Sequence, residues 1–110
     1  MMRALAMLLL AAAIASCNAR RGEPFVGPLA LDDHLKHGQQ VFDQWCYKCH
    51  TGGEGGMGPI INDKPLPKFL MRTQVRVGLG TMPNFSKNQI SDEDLDAALD
   101  YLVALRRARR

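Results

Sequence analysis

Apolar residues recur at helical spacing in three stretches of this 110-residue chain, and no stretch alternates as a half-buried strand would. The first stretch predicts a helix from about Leu31 to Cys46, with Asp32 or Asp33 as its N-cap. Its apolar side is one stripe of residues three and four positions apart: Leu35, Gly38, Val41, Phe42 and Trp45. After His50 the chain becomes too rich in glycine for regular structure, so we expect a turn there.

The second stretch predicts a helix that begins at Pro65 and ends near Val77, because proline is favoured in a first helical turn. Its apolar side consists of Phe69, Leu70, Thr73 and Val77. Gly78 and Gly80 then end the helix, since glycine is favoured just beyond a helix C-terminus.

The third stretch predicts a helix from Ser91, whose hydroxyl can cap the first turn while Asp94 completes a near capping-box arrangement. Its buried side is expected to contain Leu95, Ala98, Leu99, Leu102 and Leu105. Together the three stretches predict an all-α fold with three to four helices.

Residues 1–16 have the layout of a secretory signal peptide, and we exclude them from the fold. The uncharged apolar run that follows Arg3 is too short to span a bilayer. It ends in the sequence I-A-S-C at residues 14–17, which resembles the lipobox of bacterial lipoproteins, where cleavage leaves the cysteine as a lipid-modified first residue. The sequence therefore predicts lipidation of Cys17, with ordinary cleavage after Ala19 as the alternative.

The remaining chain has room for one small domain, which we place at residues 32–110. Residues 17–31 ahead of it contain glycine, proline and arginine and are expected to form a flexible tether. A domain of this size buries little surface on folding, and such domains are often stabilised by a metal or a covalent link.

The formal net charge of +3 arises from the two ends of the chain. Residues 32–105 hold seven basic and ten acidic side chains, so binding to nucleic acid is poorly supported. Basic residues outside that range are Arg3, Arg20, Arg21, Arg106, Arg107, Arg109 and Arg110. The C-terminal arginines complement the negative end of the last helix, with binding to anionic lipid or an acidic partner as the alternative.

The sequence Cys46-Tyr47-Lys48-Cys49-His50 has the C-x-x-C-H pattern by which a c-type haem is attached. Each thiol can bond to a haem vinyl group, and the adjacent imidazole can bind the iron. A thioredoxin-like redox pair would need a βαβ setting, and a zinc site would need a second Cys/His pair. Because neither context is present, the sequence predicts one covalent haem c held by Cys46, Cys49 and His50.

Met82 is the predicted second axial ligand of the iron. It lies in a non-helical loop far from His50, so the chain can pass round the haem and offer a thioether sulfur to the opposite face. Pro83 restricts Met82 to extended backbone, which directs its flexible side chain out of the loop. The other candidates are Met71, Met57, His34 and His37.

Five sequence motifs follow one another in a recognisable order. They are Gly38-x-x-x-Phe42, the C-x-x-C-H sequence, Gly58-Pro59, Met82-Pro83 and Tyr101-Leu102. With these motifs, residues 32–105 resemble bacterial class I cytochromes c. The resemblance implies the small class I cytochrome c fold, in which the helices surround one covalently bound haem.

The resemblance also implies several contacts. Gly38 would let the first and last helices cross closely, with Phe42 and Tyr101 stacked near the crossing. The Pro59 carbonyl would accept a hydrogen bond from His50 Nδ1–H, which fixes the ring and raises its basicity. Arg76 would reach a haem propionate or, alternatively, solvent.

The function that the resemblance implies is electron transfer, not enzymatic catalysis. An iron bound by histidine and thioether has no vacancy for oxygen, and the sulfur favours the reduced state. We expect a mono-haem carrier of single electrons in a periplasmic or membrane-associated respiratory chain, from a dehydrogenase or quinol-oxidising complex to an oxidase or reductase. Alternatives are a dedicated haem subunit of a periplasmic dehydrogenase complex and a haem sensor or peroxidase with a labile sixth ligand.

The expected location is the periplasmic side of a bacterial membrane. Export would precede anchoring through the lipid on Cys17, and a soluble periplasmic protein is the alternative.

Overall fold

The computed structural model describes residues 29–108, which contain three α-helices and no strand. They are α1 (Asp33–Trp45), α2 (Lys68–Val77) and α3 (Asp92–Ala108), and a short 3₁₀ turn lies at Thr51–Gly53. The structure is therefore the small all-α fold that the sequence predicts. Within the described range, no helix combines the length and the apolar character needed to cross a membrane.

Several sequence predictions lie outside the described residues. These are the secretory signal peptide, the lipidation of Cys17 and most of the tether. Arg109 and Arg110 at the C-terminus are outside as well.

Helix α1 begins as its sequence predicts. The Asp32 carboxylate accepts a hydrogen bond from the Leu35 backbone N–H at 2.8 Å, which satisfies one of the free donors of the first turn. The helix ends where the Cys46 N–H donates to the Phe42 carbonyl at 2.8 Å. Its fully buried residues belong to the predicted stripe and are Gly38, Val41 and Phe42.

Helices α1 and α3 cross in direct backbone contact. A Cβ atom at Gly38 would overlap the Ala97 carbonyl oxygen and lie 3.2 Å from the Ala98 nitrogen, so no side chain fits at this position. The Phe42 and Tyr101 rings pack beside the crossing with centroids 5.7 Å apart. The structure thus contains the close crossing and the ring pair that the resemblance implies.

Helix α3 also forms as predicted. The Ser91 hydroxyl oxygen accepts a hydrogen bond from the Asp94 N–H at 3.0 Å and caps the first turn. All five residues expected on its buried side are buried: Leu95, Ala98, Leu99, Leu102 and Leu105. Together with Val41, Phe42 and Ile90 they form most of the protein core.

The prediction for α2 is wrong at its start. The helix begins at Lys68 and not at Pro65, because Pro67 itself has extended backbone and a proline disfavours helical backbone in the residue before it. The side of the helix that carries Phe69 and Val77 is exposed, at 66% and 68% for these two residues. The residue that α2 buries in the protein core is Met71.

Ion pairs join α2 to α3. Lys68 Nζ lies 2.9 Å from an Asp96 carboxylate oxygen and 2.7 Å from one of Asp100, and an Arg72 nitrogen lies 2.6 Å from Asp96. Arg106, near the C-terminal end of α3, donates to the Leu66 carbonyl at 3.2 Å. The start of α2 is therefore held against α3 by the carboxylates of Asp96 and Asp100, which acid can protonate.

Acid is expected to weaken this joint. Burial disfavours the charged form of Asp100, but hydrogen bonds from Lys68 and His34 outweigh it and lower the pKa of Asp100 from its ordinary value. A lowered carboxyl pKa contributes stability that is present above about pH 4 and is lost as pH falls through the folded-state pKa. We expect Lys68→Gln to unfold at a higher pH than the wild type when the holoprotein is titrated and followed by circular dichroism.

The matched control is Lys64→Gln, since the ion-pair partner of Lys64 is its sequence neighbour Asp63, at 3.6 Å. Equal acid midpoints for the Lys68 and Lys64 variants would show that the α2–α3 ion pairs do not carry the pH dependence.

Candidate haem site

The two cysteines lie directly beyond the end of α1. Backbone N–H groups of Cys49 and His50 donate to the Cys46 carbonyl at 3.2 and 2.9 Å, which folds the C-x-x-C-H sequence into a single turn. Both cysteines are half-buried free thiols. Burial raises the pKa of Cys46 to about 11, and the nearby charges of Asp43 and Cys49 add to the effect. An uncharged thiol at this position suits contact with an apolar group.

A hydrogen bond to the backbone fixes the orientation of the His50 ring. Its ring is buried, and Nδ1 lies 2.8 Å from the Pro59 carbonyl oxygen, the contact that the resemblance implies. Because a carbonyl can only accept, Nδ1 carries the proton and Nε2 keeps its lone pair. Among residues 29–108, Nε2 has no hydrogen-bond partner.

The chain after His50 wraps closely around the imidazole. A Cβ atom at Gly58 would overlap the His50 ring, so this position requires glycine. The Gly58 N–H donates to the Cys49 carbonyl at 2.7 Å and ties the loop to the C-x-x-C-H turn. This loop thus covers one side of the ring and places Pro59 against Nδ1.

Met82 lies in a loop that folds back over the end of α2. At Gly78, where φ is +73°, a Cβ atom would lie 2.6 Å from the Met82 carbonyl oxygen and 3.0 Å from the Asn84 nitrogen. The half-buried Met82 Sδ is 3.5 Å from Gln74 Nε2, which donates to the sulfur. The loop therefore holds the thioether beside the last turn of α2.

An aromatic contact joins the two segments that carry the candidate ligands. The Trp45 and Phe85 rings pack edge to face with centroids 5.9 Å apart. Trp45 precedes Cys46, and Phe85 follows Met82 by three residues. The attachment turn and the methionine loop consequently meet at one edge of the domain.

Arg76 holds the same loop in place through hydrogen bonds. Its guanidinium donates to the Phe85 and Ile90 carbonyls at 3.2 and 2.8 Å and to Asp92 at 2.8 Å. This side chain therefore fixes the loop to the start of α3.

The structure places the other candidate iron ligands elsewhere. Met71 is in the protein core, and Met57 is 82% exposed in the loop that follows His50. His34 and His37 lie on the surface of the α1–α3 crossing, where each Nε2 pairs with an acid of α3, at 3.0 and 2.7 Å.

Several large apolar side chains between residues 47 and 79 are exposed to solvent. They are Tyr47, Met57, Leu66, Phe69, Leu70, Val77 and Leu79. Such a group of exposed apolar residues indicates a surface that something else covers. A flat apolar macrocycle bonded to the two thiols would be covered by the members of this group on α2, and the free Nε2 of His50 suits its iron.

Some residues that shape the site have no signal in the sequence. Gln74 is one polar residue among several on α2, and Asn62 follows two isoleucines without any motif. Both acquire their contacts, to Met82 Sδ and to Glu54, only through the fold.

Comparison with known proteins identifies a family and several relatives. Residues 33–102 match the family model described as cytochrome C oxidase, cbb3-type, subunit III. Over 79 residues the chain is 32% identical to the 4-cresol dehydrogenase [hydroxylating] cytochrome c subunit of Pseudomonas putida, which covers 72% of this chain and 69% of that protein. Cytochrome c6 of Bryopsis maxima is 32% identical over 78 residues, covering 62% of this chain and 88% of the relative. No solved structure gives a significant match.

The fold and the site define a small electron carrier with a covalently attached haem. The chain belongs to the cytochrome c family. Haem c with its iron is the cofactor of this family, and its members transfer electrons and are not enzymes.

Proposed function

We propose that the protein carries single electrons at the periplasmic side of a bacterial membrane, with Cys46 and Cys49 bonded to the haem and His50 and Met82 as the axial ligands. When bound, haem c supplies a reversible one-electron couple at its iron. The observation that carries the proposal is the hydrogen bond from His50 Nδ1 to Pro59, which leaves Nε2 available to the metal.

The position of Met82 supports its role as the second ligand. Its sulfur is half-buried beside α2 and accepts from Gln74, in a loop attached to the C-x-x-C-H segment through the Trp45–Phe85 contact. Two protein ligands leave no open position on the iron, so we favour electron transfer over a sensor or peroxidase.

The surface around the two ligand loops suggests how redox partners bind. Residues 55–62 and 77–86 contain no charged side chain, while Met57 and Leu79 are 82% and 70% exposed. A partner that docks here would make apolar contacts, which salt screens much less than ion pairs. The proposed partners are a dehydrogenase or quinol-oxidising complex as donor and an oxidase or reductase as acceptor.

A dedicated haem subunit of a dehydrogenase is the second candidate function. One relative is, by its name, the cytochrome c subunit of 4-cresol dehydrogenase, and an uncharged apolar face suits a lasting complex. Gel filtration of a native extract separates the two candidates. A free carrier elutes as a small monomer, whereas a subunit elutes with a dehydrogenase chain.

Electron exchange through this face should depend little on salt. We expect the rate at which native membranes reduce the holoprotein to change by less than about twofold between low and moderate salt, because the docking loops lack charge. Leu79→Glu should slow the reaction, and Gln40→Glu on the exposed side of α1 should not. A steep decline with salt, or equal rates for both variants, would contradict docking at this surface.

Membrane attachment through Cys17 is proposed from the lipobox-like sequence. Acyl chains on one residue anchor a protein because each buried methylene contributes about 0.8 kcal/mol. We expect Cys17→Ser to move the protein from the membrane fraction to the soluble fraction. A wild-type chain without lipid that begins at Arg20, as determined by mass spectrometry, would support ordinary cleavage and a soluble protein instead.

A further inference from the structure

The loop that wraps around His50 is closed at its base by a buried polar contact. Asn62 is fully buried, and its Nδ2 donates to a Glu54 carboxylate oxygen at 2.7 Å. Next to this pair, the Gly53 carbonyl accepts hydrogen bonds from the Ile61 and Asn62 N–H groups at 2.9 and 3.2 Å. We refer to the Glu54–Asn62 pair as the base clamp.

The base clamp fixes the position of the segment that ends the loop. A Cβ atom at Gly53 would lie 3.0 Å from Asn62 Cβ, so the two ends of the loop are in direct contact. Burial of a side-chain amide is costly unless the amide is hydrogen-bonded, and the contact with Glu54 therefore selects this arrangement.

The clamp acts on the residue that orients His50. Asn62 lies three positions after Pro59, whose carbonyl accepts from His50 Nδ1 at 2.8 Å. The loop also contains glycines at positions 53, 55, 56 and 58, and glycine loses more backbone freedom on ordering than any other residue. A loop of this composition needs a fixed base if the Pro59 carbonyl is to remain in one place.

We propose that Glu54 and Asn62 are positioning residues for the haem ligand. By closing the loop they hold the Pro59 carbonyl on His50 Nδ1, and so set how strongly the imidazole donates electrons to the iron. The inference rests on the proposed function, in which His50 binds the iron. A firm hydrogen bond makes the imidazole more basic and favours oxidised iron, so a loosened clamp raises the reduction potential.

The experiment compares variants of the clamp in the purified holoprotein. It measures the reduction potential and, by nuclear magnetic resonance, the rate at which the His50 Nδ1 proton exchanges with solvent. Asn62→Ala and Glu54→Ala should each raise the reduction potential. Each should also make the exchange of the His50 Nδ1 proton about tenfold faster, because a hydrogen bond that restrains the loop is lost.

Two controls separate positioning from general loss of stability. Glu54→Gln keeps an acceptor oxygen and should return both measurements to the wild-type values. Asn88→Ala removes an exposed asparagine away from the loop and should leave both unchanged.

The possible outcomes are distinct. If the two alanine variants lower only the melting temperature, the clamp is structural and the proposal is wrong. If Asn62→Ala does not fold, the comparison of Glu54→Ala with Glu54→Gln decides by the same two measurements. A wild-type protein without haem, or without a His50 signal shifted by the iron, would overturn the proposed function instead.

Discussion

Replacing Met82 by alanine should remove the weak sulfur-to-iron absorption band in the red and lower the reduction potential by on the order of 100 mV or more. A thioether favours reduced iron, so its loss favours the oxidised state. The vacated position should also let the reduced protein bind carbon monoxide. The spectrum, a redox titration and carbon monoxide binding measure the three effects in the same purified holoprotein.

The other methionines and Gln74 provide controls. Met57→Ala changes an exposed methionine and should keep the band. Gln74→Leu should also keep it but lower the potential by about 20–60 mV, because the Met82 sulfur loses the hydrogen bond that limits its electron donation. A red band that survives Met82→Ala would show that the second ligand is another residue.

Gly38→Ala should lower the free energy of unfolding by about 2 kcal/mol or more. The new methyl group would overlap the Ala97 carbonyl, and the atoms it meets belong to backbone that cannot rotate away. In an exposed helix the same change stabilises by about 1 kcal/mol, so any loss measures the clash at the crossing. Thermal unfolding of the holoprotein should show a melting temperature lower by about 8 °C or more.

Gln40→Ala is the matched control, since it introduces alanine on the exposed side of the same helix. Its stability should stay within about 0.5 kcal/mol of the wild type. If Gly38→Ala were as stable as Gln40→Ala, the two helices would not be in backbone contact at this position.

The sequence predicts α1 and α3 well because their signals are local. Asp32 and Ser91 cap them through hydrogen bonds to residues three positions on, and the apolar stripe of α3 is buried throughout. The predicted start of α2 is wrong because Pro67, in extended backbone just ahead of the helix, outweighs the favourable position of Pro65.

The site is predictable where it depends on motifs and unpredictable where it depends on distant contacts. C-x-x-C-H indicates the haem directly, and the resemblance to class I cytochromes c implies Pro59 as the partner of His50. The Trp45–Phe85 contact joins residues 40 positions apart, and no motif near either residue predicts it. The same holds for Asn62, which is buried and donates a hydrogen bond to Glu54 only in the folded protein.

The close crossing at Gly38 also limits how this chain can change by mutation. Because the Ala97 carbonyl occupies the space that any side chain at position 38 would need, a larger residue there would force α1 and α3 apart. Cys46 directly follows α1, so a separation of the two helices would also move the first of the two thiols. A single glycine thus couples the spacing of the two helices to the position of the C-x-x-C-H turn.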